Sequence, residues 1–211
     1  MRPLASVLIL ALLAACARGQ PAEEADAVAR GLAWLARQQR DDGSFQRDGP
    51  RLAITALATL AFLADGHAPD VGRYGLILRR AINHLIEQTP ADGYIGRVDN
   101  SRMYGQAIVA IALIEAASLE SDAGPRRAAL ETAARLIDVI VRAQQIDKPA
   151  PHAGGWRYQP DSADSDLSVT HWCLIALRSA RSAGLGVPDD AIDRATRYLR
   201  NCLNDRTGGG R

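Results

Sequence analysis

Aromatic side chains are few in this chain: three Trp, five Tyr and two Phe among 211 residues. Large rings can therefore line only a small part of any cavity. An excess of one charge is missing as well. Twenty-five basic residues face 24 acidic ones, a formal net charge of +1. No run of Lys or Arg is long enough to track a phosphate backbone, which argues against nucleic acid as a partner. No segment alternates apolar and polar residues convincingly, so essentially no sheet is expected. Cysteines stand only at 16, 173 and 202. The last two lie in apolar helical contexts where a free thiol is the common state, and no disulfide is inferred. What remains, 47% hydrophobic and 23% charged residues, is the composition of a globular protein with a sizeable core.

The first residues read as an export signal. Arg2 gives a positive start, Leu4 to Leu13 is an apolar run too short to span a bilayer, and small residues follow. Leu13-Ala14-Ala15-Cys16 looks like a lipobox, in which Cys16 is lipidated and becomes the new N-terminus. A cut after Ala15-Cys16-Ala17 is the alternative and would leave a soluble exported protein. Residues 1–16 are thus expected to be a lipoprotein-type signal, 17–24 a short linker and 25–211 the folded part. The mature chain is expected outside the cytoplasm, periplasmic or anchored to a membrane through lipid.

A repeat follows. LARQQRDDGSF, IEQTPADGYIG and APHAGGWRYQP each place a Gly and an aromatic after a helical segment, with Gly43, Gly93 and Gly155 as the matching glycines. Thr207-Gly208-Gly209-Gly210 reads as the start of another such turn. Each unit holds two helices. The first is amphipathic, with apolar residues at helical spacing: Val28, Leu32 and Leu35; Leu78, Ile82, Leu85 and Ile86; Leu130, Ala134, Ile137 and Val141; then Ile192, Leu199 and Leu203. The second, as in TALATLAFLA, QAIVAIALI and HWCLIAL, is apolar nearly all round and must be enclosed. Small residues such as Ala56, Ala58, Ala61, Ala110, Ala112 and Ala176 allow these helices to approach closely. The expected fold is all-α, a double layer of enclosed inner and half-wet outer helices with about three and a half helical hairpins.

GLAWLARQQRDDGSF, and GGWRY at Gly154 to Tyr158, resemble the repeat of squalene and hopene cyclases and of protein prenyltransferase β subunits. In weaker form the resemblance runs from about residue 25 to the C-terminus. It implies an α/α toroid, of which this chain would supply a part. It also implies a structural role for Trp34, Phe45, Tyr94 and Trp156, which stack on neighbouring helix ends while a Gln ties loop backbone groups.

Asp164-Ser165-Asp166 precedes the third inner helix. Aligning the inner helices on Leu60, Ile111 and Ile175 sets Asp164 opposite Asn100 and Gly49, and Asp166 opposite Arg102 and Arg51, so the acids belong to one unit alone. The residues themselves suit a helix cap, in which Asp164, Ser165 or Asp166 satisfies free backbone donors. The resemblance implies instead a catalytic role for Asp164 and Asp166. Cyclases protonate an alkene with an Asp-x-Asp-Asp motif, and here Leu167 stands in the last position. Prenyltransferases hold zinc through an Asp-x-Cys pair, and here Ser168 replaces the cysteine, a poor zinc ligand. His171 and Cys173 point to different faces of a helix, and His67, His84 and His152 stand apart in the sequence. No metal and no cofactor is expected.

Carbocation chemistry also needs aromatic faces in a cavity, and the inner helices offer only Phe62, Trp172 and Tyr104. Tyr104 and Trp172 are the expected ligand-binding residues. The expectation is an exported repeat protein that binds an isoprenoid or lipid, or associates with a protein partner or with itself. The alternative is an active terpenoid cyclase or prenyltransferase-type enzyme that uses Asp164 and Asp166.

Overall fold

The computed structural model describes residues 22–207, so the lipidation candidate Cys16 and the glycines at 208–210 lie outside the described residues. Within that range there are seven α-helices: α1 (Ala22–Gln38), α2 (Arg51–Ala64), α3 (Gly75–Gln88), α4 (Arg102–Leu119), α5 (Ala123–Gln144), α6 (Leu167–Ser182) and α7 (Ala191–Thr207). Among the described residues there is no strand, and the one isolated β-bridge pairs Trp156 with Asp166. The protein is all-α. The chain divides into two compact units, the first ending at Arg37 and the second starting at Gln38. The first contributes α1, and the repeats discussed below lie in the second.

In the second unit α2, α4 and α6 lie side by side in that order, and α4 also packs on α3 and α5. Complete enclosure is therefore confined to α4. Nearly every residue from Met103 to Ala117 is buried, because this helix has neighbours on both sides. By length and composition α4 could cross a membrane, but 72% of it is buried in protein, as in a core helix. The flanking helices each keep an open stripe, with Leu57 exposed on α2 and Trp172 and Ile175 half-buried on α6. That corrects the expectation of helices enclosed all round.

The amphipathic helices also differ from their sequence reading. α3 buries Leu78, Ile82 and Leu85, and α5 buries Ile137 and Val141, as expected, but α5 also turns Ala129, Ala133, Leu136 and Ile140 inward, and α7 turns Ala191, Ala195 and Tyr198 inward. Leu130 is left at the rim and Leu203 is exposed. On α5 the buried stripe is thus wider than the sequence reading, and on α7 it is displaced by one residue, from Ile192 and Leu199 to Ala191 and Tyr198.

Three turns repeat one construction. Gly43, Gly93 and Gly154 all have positive φ, at 84°, 78° and 87°. A Cβ at these positions would come within 2.3, 2.3 and 2.5 Å of the carbonyl oxygens of Arg80, Arg135 and Arg194. Only glycine allows both the backbone conformation and so close an approach to the following amphipathic helix. The third repeat glycine is thus Gly154, not Gly155, because the residue with positive φ is the one that meets the helix.

Two residues after each of these glycines a side chain enters the core: Phe45, Ile95 and Trp156, at 8%, 0% and 1% exposure. In the second unit of the repeat this is Ile95. Tyr94 points outward instead, its hydroxyl donating to Gln159 Oε1 at 2.8 Å. Each backbone N–H at the buried position donates to a polar side chain in the next apolar helix: Phe45 to Thr55 (3.2 Å), Ile95 to Gln106 (3.2 Å) and Trp156 to Thr170 (3.0 Å). A glutamine amide then ties each turn to the helix behind it. Gln39 donates to Gly43 and Ile77, Gln106 to Gly93 and Leu136, and Gln144 to Gly154 and Ala191. The middle glutamine comes from α4 rather than from the end of the preceding amphipathic helix, where Thr89 stands.

Candidate functional site

The N-terminal ends of α2, α4 and α6 bring most of the expected site residues together, and their backbone donors are satisfied in three ways. Asp99, only 2% exposed, lies before α4 but caps α2, its Oδ2 accepting from the N–H of Leu52 (2.5 Å) and Ala53 (3.0 Å). On α4 the N–H of Met103 donates to the Tyr158 carbonyl, 3.1 Å away in the following turn. α6 is capped by its own Asp166, whose Oδ1 accepts from the N–H of Ser168 and of Val169, each at 3.0 Å. Asp99 was not singled out in the sequence because its helix is one unit away. A lone Asp in a loop carries no signal of a partner 46 or 47 residues distant.

The three acids therefore have distinct surroundings. Burial by itself would raise the Asp166 pKa, but the hydrogen bonds from Val169 and Ser168 outweigh it, with help from Arg157, and hold the carboxyl below its ordinary value. Asp166 is thus ionised at neutral pH and poorly suited to donate a proton to an alkene. Asp164 is half-exposed and lies 3.5 Å from Arg157. Ser165, between them, is buried. Its hydroxyl donates to the His152 carbonyl at 2.7 Å, and its N–H donates to His152 Nδ1 at 3.2 Å.

Asp166 does more than cap. Ser168 Oγ donates to Asp166 Oδ1 at 2.7 Å and is also hydrogen-bonded to the Tyr104 hydroxyl. With the serine hydrogen committed to the carboxylate, the tyrosine is the donor, so the acid orients Tyr104 through Ser168. The Tyr104 ring stands 6.1 Å from that of Tyr158, and the Arg157 guanidinium lies 4.8 Å from the Tyr158 ring centre. Both tyrosines line a cleft of about 540 Å³ whose other walls include Pro50, Ala53, Ile108 and Arg102. The Arg102 side chain is exposed and makes no hydrogen bond or ion pair among the described residues, and its backbone is held at φ 56°. For a residue with a side chain that conformation costs about 1–3 kcal/mol, and strain of this kind collects at ligand clamps.

The other expected residues fall elsewhere. Trp172 lies one helical turn beyond Ser168 on α6, half-buried, and is not a wall of this cleft. Phe62 is fully buried, its ring 5.0 Å from Tyr74 and 6.2 Å from Phe45. It belongs to the core, which corrects its assignment to a cavity lining. His67 pairs with Asp65 at 3.2 Å, and His84 Nδ1 lies 2.8 Å from the Asp42 carbonyl. Among the described residues no group of His, Cys, Asp and Glu is placed to hold a metal ion. Cys173 is a buried free thiol whose pKa burial pushes well up. The chain's single lysine, Lys148, bonds the Gly155 carbonyl at 2.7 Å, and burial lowers its pKa.

A comparison with known proteins finds no family model and no curated protein that matches this chain.

The cap makes a testable prediction. Asp166→Ala is expected to cost about 1 kcal/mol at neutral pH. Because the folded-state pKa is lowered, the stabilisation from the carboxylate is present above the ordinary aspartate pKa and lost as pH falls through the lower folded value. Urea unfolding of both proteins should therefore show a gap at pH 7 that narrows once the pH is taken below the ordinary aspartate value of 3.8. An equal gap at both pH values would remove the ionised cap.

Proposed function

We propose that this chain is a non-catalytic binding module for an apolar ligand with an anionic end, of the isoprenoid or lipid class, held in the cleft between α2 and α4. The observation that carries the reading is the cleft. Apolar side chains form its floor, two tyrosine rings form a wall, and an unpaired arginine stands at the rim. Such a combination suits a hydrocarbon chain with a phosphate or carboxylate head. The ionised Asp166, whose Oδ1 is taken up by Ser168 and Val169, favours binding over the cyclase or prenyltransferase-type activity that Asp164 and Asp166 would otherwise serve.

The same proposal covers family and location. The turn built on Gly43, Gly93 and Gly154 with its glutamine tie supports kinship with the squalene cyclase and prenyltransferase repeats, and with it an α/α toroid to which these hairpins contribute. The apolar start and the Leu13-Ala14-Ala15-Cys16 box support export and a lipid anchor, which would keep the cleft near membrane-dissolved ligands.

Equilibrium binding of farnesyl phosphate and farnesol tests the reading. Both probes are expected to bind and to be recovered unchanged. Tyr104→Ala should weaken both about tenfold, and Arg102→Gln should weaken the phosphate alone. Absence of binding, or affinity indifferent to Tyr104→Ala, would overturn the cleft as the site. Conversion of either probe would restore the enzyme reading.

A further inference from the structure

Glu115 is the one acid on α4, a helix whose only other charged residue is Arg102 at its start. The aligned positions on the neighbouring apolar helices are Ala64 and Ser179, so the carboxylate is not a requirement of the repeat. It is half-buried and has no ion-pair partner among the described residues. Its one hydrogen bond is from Ser179 Oγ, 3.2 Å from Oε1. A carboxylate accepts several such bonds, and withdrawal of a charge from water is unfavourable unless something compensates it.

What surrounds it is a cavity of about 500 Å³ between α4, α5 and α6. Eleven residues separate Tyr104 from Glu115, about 16 Å along the helix, so this cavity and the tyrosine cleft are separate. Ile114, Ala117 and Leu130 give it an apolar base, while Arg126 and Arg178 bring positive charge to its edge. Arg126 is occupied with the Glu120 carbonyl. Arg178 is exposed and has no partner among the described residues. The cavity lies toward the C-terminal ends of α4 and α6, where helix carbonyls favour a cation.

One acid and one free arginine across an apolar base fit a ligand carrying both charges. We propose that this cavity binds a zwitterion with apolar side groups, the class of apolar amino acids and short apolar peptides. The ammonium meets Glu115, the carboxylate meets Arg178, and the side groups rest on Leu130 and Ile114. The cavity is of a size that accepts a small peptide. This site is independent of the tyrosine cleft and of what fills it.

Calorimetric titration with leucyl-leucine, its N-acetyl derivative and its C-terminal amide tests the assignment. The free dipeptide should bind, and loss of either terminal charge should weaken it about tenfold. Glu115→Gln should weaken the dipeptide to the level of the acetyl derivative, and Arg178→Gln to the level of the amide. Thermal melts of both variants should match the parent, and Ser179→Ala should retain binding because it leaves both charges in place. Failure of the dipeptide to bind at millimolar concentration would overturn the proposal, as would equal affinity for all three probes or indifference to Glu115→Gln in the folded protein.

Discussion

Trp156→Ala should destabilise the protein by about 4 kcal/mol, the range for emptying a buried aromatic site. The ring is 1% exposed, and its Nε1 donates to the Ile140 carbonyl at 2.8 Å. The backbone at the same residue accepts the Asp166 N–H at 2.7 Å and donates to Thr170 Oγ1 at 3.0 Å. The side chain thus anchors a turn whose backbone sets both the Asp166 cap and the start of α6. For a chain of this size the loss corresponds to a midpoint about 10 °C lower. Trp156→Phe keeps much of the volume and should lose less than half as much. A Trp156→Ala cost below about 1 kcal/mol in urea unfolding would show that the turn is not held by its aromatic.

Gln106→Leu is the second large effect. The substitution is close in volume, so it tests hydrogen bonding rather than packing. Gln106 is fully buried, accepts from Ile95 N–H at 3.2 Å and donates to the carbonyls of Gly93 (2.7 Å) and Leu136 (3.1 Å). A leucine meets none of these, and each buried group left without a partner costs about 1–3 kcal/mol. A total of about 3–5 kcal/mol is expected. The other two turns suggest a rescue. There a glutamine four or ten residues before the glycine supplies the tie, and a threonine in the apolar helix receives the turn N–H. Thr89→Gln together with Gln106→Thr transplants that arrangement and should recover part of what Gln106→Thr alone loses. If the double variant is no better than the single one in urea unfolding, the glutamine positions are not interchangeable.

The helical pattern was legible because the apolar residues of α3 recur with the helical period and because α2 and α4 are too apolar to stand in water. The turns were legible as Gly followed by an aromatic, but not which glycine matters or which side chain enters the core. Gly154 rather than Gly155, and Ile95 rather than Tyr94, follow from the approach of the Arg135 and Arg194 carbonyls. The Asp-Ser-Asp stretch signalled a helix cap. That Asp166 is the member that caps, and that it orients Tyr104 through Ser168, depends on a contact across 64 residues. Asp99 and Glu115 carry no signal in the sequence, because an acid reveals its purpose only through what lies beside it.

By itself the sequence determined the all-α class, the alternation of apolar and amphipathic helices and the recurring glycine turn. Period, composition and backbone freedom are local properties, readable within a few residues. The tertiary structure alone decided how wide a face of α5 and which face of α7 is buried, which unit caps α2, and that two tyrosines and a lone arginine share one cleft while Glu115 stands in another. These depend on the close approach of helices distant in the chain, and that distance is set by side chains on both partners at once.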